Sequence, residues 1–135
     1  MDVRTANAAE GEAIVALWEA AGLTRPWNDP RADLARALDG PSSTVLVGHE
    51  DGDLVATAMV GHDGHRGWVY YVAVREDARG LGYGTTIMRA AEDWLRQRSV
   101  PKVQLMVRGD NAGAAGFYEA LGYEPNDVRV LSRRL

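Results

Sequence analysis

Residues 79–84 read Arg79-Gly80-Leu81-Gly82-Tyr83-Gly84, and this glycine-rich stretch joins two strong secondary-structure patterns. The apolar run at 68–74 predicts a strand before it, and the amphipathic pattern at 82–98 predicts a helix after it. A helix N-terminus offers unpaired N–H groups and partial positive charge, and glycine lets a ligand approach the backbone closely. The sequence therefore predicts a phosphate or pyrophosphate site on the main chain of this loop.

Two common phosphate-binding motifs fit this loop poorly. A Walker-type loop ends in Gly-Lys-Ser/Thr, and no lysine follows Gly82 here. A dinucleotide fingerprint has the spacing G-x-G-x-x-G and needs an acidic residue at the end of a second strand. The spacing here is G-x-G-x-G, and the next strand pattern holds Lys102 and Gln104. The pattern that remains is Arg/Gln-x-x-Gly-x-Gly, which Arg79, Gly82 and Gly84 satisfy.

A second motif lies downstream of the loop. Asn111 is followed by Tyr118 seven positions later and then by Leu121-Gly122-Tyr123. Together with the glycine loop, this order resembles the two signatures of the GNAT family of N-acetyltransferases. In the other half of the chain, residues 25–30 and 63–67 are similar to the YpeA-type branch of small bacterial acetyltransferases.

The patterns predict a single domain, residues 1–135, of the α/β (α+β) class. Strand patterns cover 2–6, 43–48, 54–61, 68–74, 102–107 and 128–135, and helical patterns cover 7–21, 29–40, 82–98 and 111–121. The resulting order is β-α-α-β-β-β-α-β-α-β. Hairpins join some strands and helices join others, so we expect a mixed, mostly antiparallel central sheet flanked by helices. The run at 68–74 is continuously apolar, which predicts a central strand buried on both faces.

Composition narrows the classes of function. The chain has 15 basic and 19 acidic residues, a net charge of −4, and no cysteine. The charge disfavours nucleic-acid binding, and the lack of cysteine excludes disulfides and a thiolate nucleophile. No apolar run reaches the ~20 residues that span a bilayer, so we expect no membrane association and a cytoplasmic location. The spacing of His62, Asp63 and His65 matches no usual metal site, so no metal is expected. A homodimer is possible and is left open.

The resemblance implies that acetyl-CoA is the cosubstrate, with direct transfer of the acetyl group to a primary amine of a small molecule, peptide or protein. It implies backbone pairing of the pantetheine arm with Val72 and Val74. The remaining cofactor contacts that it implies are Arg79, Gly80, Leu81, Gly82, Tyr83, Gly84, Thr85, Asn111, Phe117 and Tyr118. Asn111 also suits a helix N-cap. An alternative function is a catalytically weak acetyl-CoA-binding sensor or interaction module.

The catalytic candidates follow from the chemistry of amine acetylation. A phenol with a pKa near ~10 stays protonated at neutral pH and can donate to a leaving thiolate, which makes Tyr118 the candidate general acid. Family members that acetylate ribosomal-protein termini carry a Glu where this chain has Met106. Asp63 and His65, in the turn before the strand at 68–74, are therefore the candidate bases.

The acceptor amine is expected near the loop between the first two helices. By resemblance this loop covers the acceptor site in the family, which points to Trp27, Asn28 and Asp29, with Tyr70 on the neighbouring strand. Trp27 could equally anchor the loop itself, because a tryptophan in a loop often does so.

Overall fold

Five strands form one sheet in which spatial neighbours follow each other in sequence, in the order β1-β2-β3-β4-β5. The computed structural model describes all 135 residues. The strands are β1 (Asp2–Thr5), β2 (Ser43–Glu50), β3 (Asp53–His62), β4 (Gly67–Val74) and β5 (Val103–Leu105). Strands β1 to β4 pair antiparallel and β5 pairs parallel to β4. The expected mixed, mostly antiparallel sheet is confirmed.

Four α-helices accompany the sheet. They are α1 (Gly11–Ala20), α2 (Pro30–Asp39), α3 (Tyr83–Arg96) and α4 (Ala112–Ala120). Asp29 caps α2 by accepting from the backbone N–H of Arg31 at 3.0 Å, as its sequence pattern predicts. The chain divides into two compact units: Met1–Leu105 holds the sheet and the first three helices, and Met106–Leu135 holds α4.

Apolar side chains of the first unit fill both sides of its sheet. Trp18 and Ile14 of α1 are fully buried in a cluster that includes Val45 and Val47 of β2. Helix α3 buries a separate apolar stripe, made of Ile87, Met88, Ala91 and Leu95. A Cβ atom at Gly67 of β4 would lie 2.6 Å from a methyl group of Leu95, so close packing of α3 requires glycine there.

Strand β4 contains a bulge in its middle. Tyr70 pairs with Met59 and Ala73 pairs with Thr57, so two residues of β4 lie opposite one residue of β3. Tyr71, one of the two, has φ +51°, a left-handed conformation that is unusual for a bulky residue. Because Met59 and Thr57 share one face of β3, Tyr70 and Ala73 also share a face, although they are three positions apart.

A buried hydrogen-bond relay fixes the bulge. The indole N–H of Trp18 donates to Thr57 Oγ1 at 3.0 Å, and the Thr57 hydroxyl donates to the backbone carbonyl of Tyr71 at 3.0 Å. The rings of Trp18 and Tyr71 stack with their centroids 3.9 Å apart. Thr57 is fully buried, so it satisfies two polar groups that water cannot reach.

Replacing Thr57 by valine is expected to lower the free energy of unfolding by about 1–3 kcal/mol, because the Trp18 indole and the Tyr71 carbonyl would lose a buried partner. Urea denaturation followed by circular dichroism measures this loss. The control is Thr5→Val, since Thr5 is exposed on β1 and should change stability little. Equal stability of both variants would show that the relay contributes nothing.

Two expectations from sequence are wrong. Residues 128–135 form no strand, and Val128, Val130 and Leu131 are largely exposed, because an alternating apolar pattern becomes a strand only where a sheet edge pairs with it. Strand β4 is also not buried on both faces, since Tyr70 is 41% exposed. Trp68 and Tyr70 raise the apolar content of the run without being buried core residues. The strand expected at 102–107 is shorter and covers only β5.

Candidate active site

The glycine loop presents unpaired backbone amides at the start of α3. Gly80 and Gly82 have φ values of +80° and +83°, so both occupy the left-handed region that favours glycine. Gly82 is the N-cap of α3. The helical hydrogen bonds begin with the N–H of Thr86, which donates to the Gly82 carbonyl at 3.1 Å. The amides of residues 83–85 therefore lie outside the helix ladder, in the geometry that binds anions. The Arg79 side chain is exposed beside them.

The side chain of Tyr83 makes its contact outside the glycine loop. Its hydroxyl hydrogen-bonds to Glu50 at the end of β2, whose carboxylate also pairs with the N-terminal amino group at 2.8 Å. The N-terminal amino group and, to a smaller extent, Tyr83 hold the pKa of Glu50 below its usual value. Tyr83 thus ties the loop to the sheet and leaves only its main chain for a ligand.

The outer edge of β4 is open beyond its first half. Strand β5 pairs with Gly67, Trp68 and Val69 only. From Tyr70 to Val74 no strand covers this edge, so main-chain groups are available there for an extended ligand. Val72 and Val74 lie in this open segment, where the resemblance to the family expects the pantetheine arm.

A pocket of about 600 Å³ lies beside β4, and all of its lining residues belong to the first unit. It lies between the α1–α2 loop, α2 and the adjoining ends of β3 and β4, and it includes three of the residues expected from sequence: Asn28, Asp63 and Tyr70. The pocket lining does not include Trp27, Asp29 or His65. Trp27 is 56% exposed, and Asp29 is the cap of α2.

Asp63, a candidate base, has a structural role in its turn. One of its carboxylate oxygens accepts from the backbone N–H groups of Arg66 at 2.8 Å and of His65 at 2.9 Å. These two bonds, together with a smaller contribution from the Trp68 indole, lower the pKa of Asp63 below its ordinary value. His65 is exposed and lies next to Arg66. A carboxylate with a lowered pKa is a weaker base, so these bonds count against Asp63 as the proton acceptor.

Sequence patterns missed a hydrogen-bonded group of side chains in the pocket, Tyr71, Asp33 and Arg36. The Tyr71 hydroxyl donates to Asp33 Oδ2 at 2.8 Å, and Arg36 donates to Asp33 Oδ1 at 2.6 Å. Burial and the Asp33 carboxylate raise the pKa of Tyr71 to about 12, so this hydroxyl stays a donor at neutral pH. In the sequence, Asp33 and Arg36 are an ordinary i,i+3 pair on an exposed helix face. Nothing in the sequence around them indicates that a tyrosine of a distant strand contacts Asp33.

The second unit holds three residues that were expected to contact the cofactor. Asn111 caps α4 by accepting from the N–H of Ala114 at 3.0 Å, which confirms its interpretation as an N-cap. Phe117 and Tyr118 are half-buried on α4, with ring centroids 5.0 Å apart. Burial raises the pKa of Tyr118, so its hydroxyl remains protonated at neutral pH.

The structure shows neither a cluster of metal ligands nor a membrane-spanning helix. No group of three or more His, Asp or Glu side chains has the arrangement of a metal site. None of the helices has the length and apolar character needed to cross a membrane.

Comparisons with known proteins assign the fold and the family. Residues 13–123 match the model of the acetyltransferase (GNAT) family. The chain is 42% identical over 135 residues to an acetyltransferase of Pectobacterium atrosepticum, covering 100% of this chain and 96% of that protein. It is 40% identical over 135 residues to an acetyltransferase of Yersinia enterocolitica, with the same coverage of 100% and 96%.

A solved structure that contains a bisubstrate analogue has the same fold. The fold matches AAC(6′)-Iy in complex with a bisubstrate analogue, CoA-S-monomethyl-acetylneamine, with a TM-score of 0.85 and 16% identity. The match covers 99% of this chain and 97% of that one. Together with the glycine loop and the open edge of β4, the family match over residues 13–123 shows that this chain belongs to the acetyltransferase (GNAT) family and is an acetyltransferase.

Proposed function

We propose that the chain moves the acetyl group of acetyl-CoA to a primary amine by direct transfer, with residues 1–135 acting as one catalytic domain. The observation that carries this proposal is the N-terminus of α3, where the amides of residues 83–85 have no helical partner and follow a strand with an open edge. The solved relative with a CoA-linked bisubstrate analogue supports the same assignment. Calorimetry with CoA and an assay of CoA release with a panel of amines test it.

The proposed cofactor site follows the main chain. The pyrophosphate would bind the amides of residues 81–85, with Arg79 close enough in sequence to approach a phosphate. The pantetheine arm would pair with the backbone of Val72 and Val74 along the open edge of β4. Asn111 and Phe117 are proposed to contact the same arm, as the resemblance to the family implies.

The proposed chemistry needs a proton donor and a proton acceptor. The amine nitrogen bonds to the acetyl carbon as the carbon–sulfur bond breaks, so sulfur leaves with the electron pair and the nitrogen releases a proton. We propose that the Tyr118 hydroxyl donates to the sulfur, since burial keeps it protonated. Holding the amine against the thioester supplies much of the rate, because a bimolecular reaction becomes effectively intramolecular.

The base is expected to act from the turn before β4. An amine with a pKa near ~10 reacts as its neutral minority form, so kcat/KM should rise with pH. If Asp63 or His65 accepts the proton through water, Asp63→Asn or His65→Ala should depress this rise of kcat/KM more than it lowers CoA affinity. The pH profile of kcat/KM from pH 6 to pH 9 measures the effect. Profiles like that of the unchanged protein would leave the turn with a structural role only.

Two observations favour a second function, an acetyl-CoA-binding module with weak turnover. The position where some relatives carry a Glu holds Met106, and the pKa of Asp63 is lowered by its turn. Tight CoA binding with no acetyl transfer to any amine would select this alternative. Membership of the YpeA-type branch stays a prediction, which a phylogenetic tree that includes this branch would test. A cytoplasmic location also stays a prediction.

A further inference from the structure

We propose that the pocket beside β4 selects a primary amine with one positive charge and an aromatic or apolar body, an arylalkylamine, and that Asp33 is the counterion of its ammonium group. This inference rests on the proposed function and specifies its acceptor. It follows from the walls of the pocket, from its charges and from the way in which Asp33 is held.

The walls suit a flat apolar body. Leu23 and Met59 contribute apolar surface, and Trp68 and Tyr70 contribute aromatic rings. Because these two rings occupy alternate positions of β4, they lie nearly parallel, with centroids 6.4 Å apart and 18° between their planes. Aromatic faces attract both apolar ligands and cations. The volume of about 600 Å³ lies in the range that holds small molecules.

The charges suit a single ammonium group. Asp33 and Asp63 are negative and Arg36 is positive, so with His62 neutral the lining carries a net charge of one negative unit. Asp33 shares its charge with Arg36, and a net charge of one negative unit balances one ammonium group, so a second or third cationic centre of a ligand would lack a counterion. Polyamines and aminoglycosides, which carry several ammonium groups, should therefore bind less well than a monoamine.

Asp33 is held ready for this role. Its side chain is only 22% exposed, and the Tyr71 hydroxyl and the Arg36 guanidinium each occupy one of its oxygens. A carboxylate has about four acceptor positions, so at least two remain for a ligand. Tyr71 is itself fixed by its stacking on Trp18 and by the Thr57 bond to its carbonyl, so the carboxylate keeps one orientation.

The test compares acceptors and one matched pair of variants. We expect kcat/KM for 2-phenylethylamine and tryptamine to exceed that for spermidine, kanamycin and a peptide with an N-terminal alanine by about tenfold or more. Asp33→Asn should lower kcat/KM for 2-phenylethylamine by about tenfold or more and leave CoA affinity unchanged, since it removes the charge but keeps the shape. The control Asp39→Asn makes the same charge change at an exposed position of α2 outside the pocket.

A binding measurement separates this inference from the proposed function. NMR titration of the tryptophan indole signals with 2-phenylethylamine, compared with Trp68→Phe to assign the responding signal, reports occupancy without turnover. Preference for spermidine, kanamycin or the peptide, or an Asp33→Asn variant equal to the control, overturns the inference and leaves amine acetylation standing. Binding of 2-phenylethylamine at Trp68 without acetylation of any amine supports the pocket preference and overturns the proposed function. Absence of both binding and turnover overturns the two together.

Discussion

Replacing Gly82 by valine is expected to weaken CoA binding by about 100-fold or more while the fold persists. Gly82 has φ +83° at the N-cap of α3, and the amides that follow it are the proposed pyrophosphate ligands. A β-branched side chain would place methyl groups where the ligand must approach and would shift the loop. Losing two charge-assisted hydrogen bonds is enough for about a 100-fold change, since each contributes about 1.5–3 kcal/mol. Isothermal titration calorimetry measures the affinity.

The structure supplies a matched control for this variant. Gly52, in the β2–β3 turn, has φ +82°, and a Cβ atom at Gly52 or at Gly82 would meet nothing within 4 Å. Valine at either position therefore suffers similar backbone strain, about 1–2 kcal/mol, which a domain stable by 5–15 kcal/mol tolerates. Gly52→Val should keep CoA affinity. If Gly82→Val also keeps it, or if both variants lose it equally, the loop is not the pyrophosphate site.

Replacing Tyr118 by phenylalanine is expected to lower kcat by about 100-fold, because general acid catalysis contributes about 10²–10⁴-fold. The lost hydroxyl acts on charge that develops only in the transition state, so the affinity for acetyl-CoA should change little. Burial raises the pKa of Tyr118, and a group stays protonated below its pKa. Loss of kcat through ionisation of Tyr118 should therefore appear only above pH ~10 in the unchanged protein.

Steady-state kinetics with a saturating amine separate this role from packing. Tyr123→Phe is the control, since it removes a hydroxyl from a neighbouring ring whose centroid is 5.9 Å from that of Tyr118. The control should keep most of its kcat. A Tyr118→Phe variant with unchanged kcat and a raised KM for acetyl-CoA would assign Tyr118 to cofactor binding instead.

Local sequence chemistry accounts for most of the elements. The Asp51-Gly52 pair predicts the β2–β3 hairpin, and both residues have the positive φ values that a type I′ turn requires. Asp29 and Asn111 predict two helix starts, because their side chains accept the backbone N–H groups that a helix leaves unpaired. The glycine loop is also local, since a strand, a turn and a helix start are all visible in one short stretch.

The pocket beside β4 could be predicted only in part, because the arrangement of its residues depends on distant parts of the chain. Tyr71 reaches Asp33 from another element of the fold, and its left-handed backbone is held by Trp18 and Thr57. A non-glycine residue with positive φ leaves no sign in the sequence when tertiary contacts impose it. The same dependence on context made the apolar pattern at 128–135 misleading.

The bulge in β4 bears on how chains of this kind can diverge in sequence. Loss of Tyr71 would leave one residue between Tyr70 and Ala73, as between Met59 and Thr57, so β4 would pair regularly with β3 and keep Trp68 and Tyr70 on their present face. Such a deletion would therefore remove the bulge and the tyrosine hydroxyl that donates to Asp33, while the two aromatic rings stay in place. A change of one residue in the length of β4 at this point is therefore compatible with the rest of the sheet and alters the surroundings of Asp33.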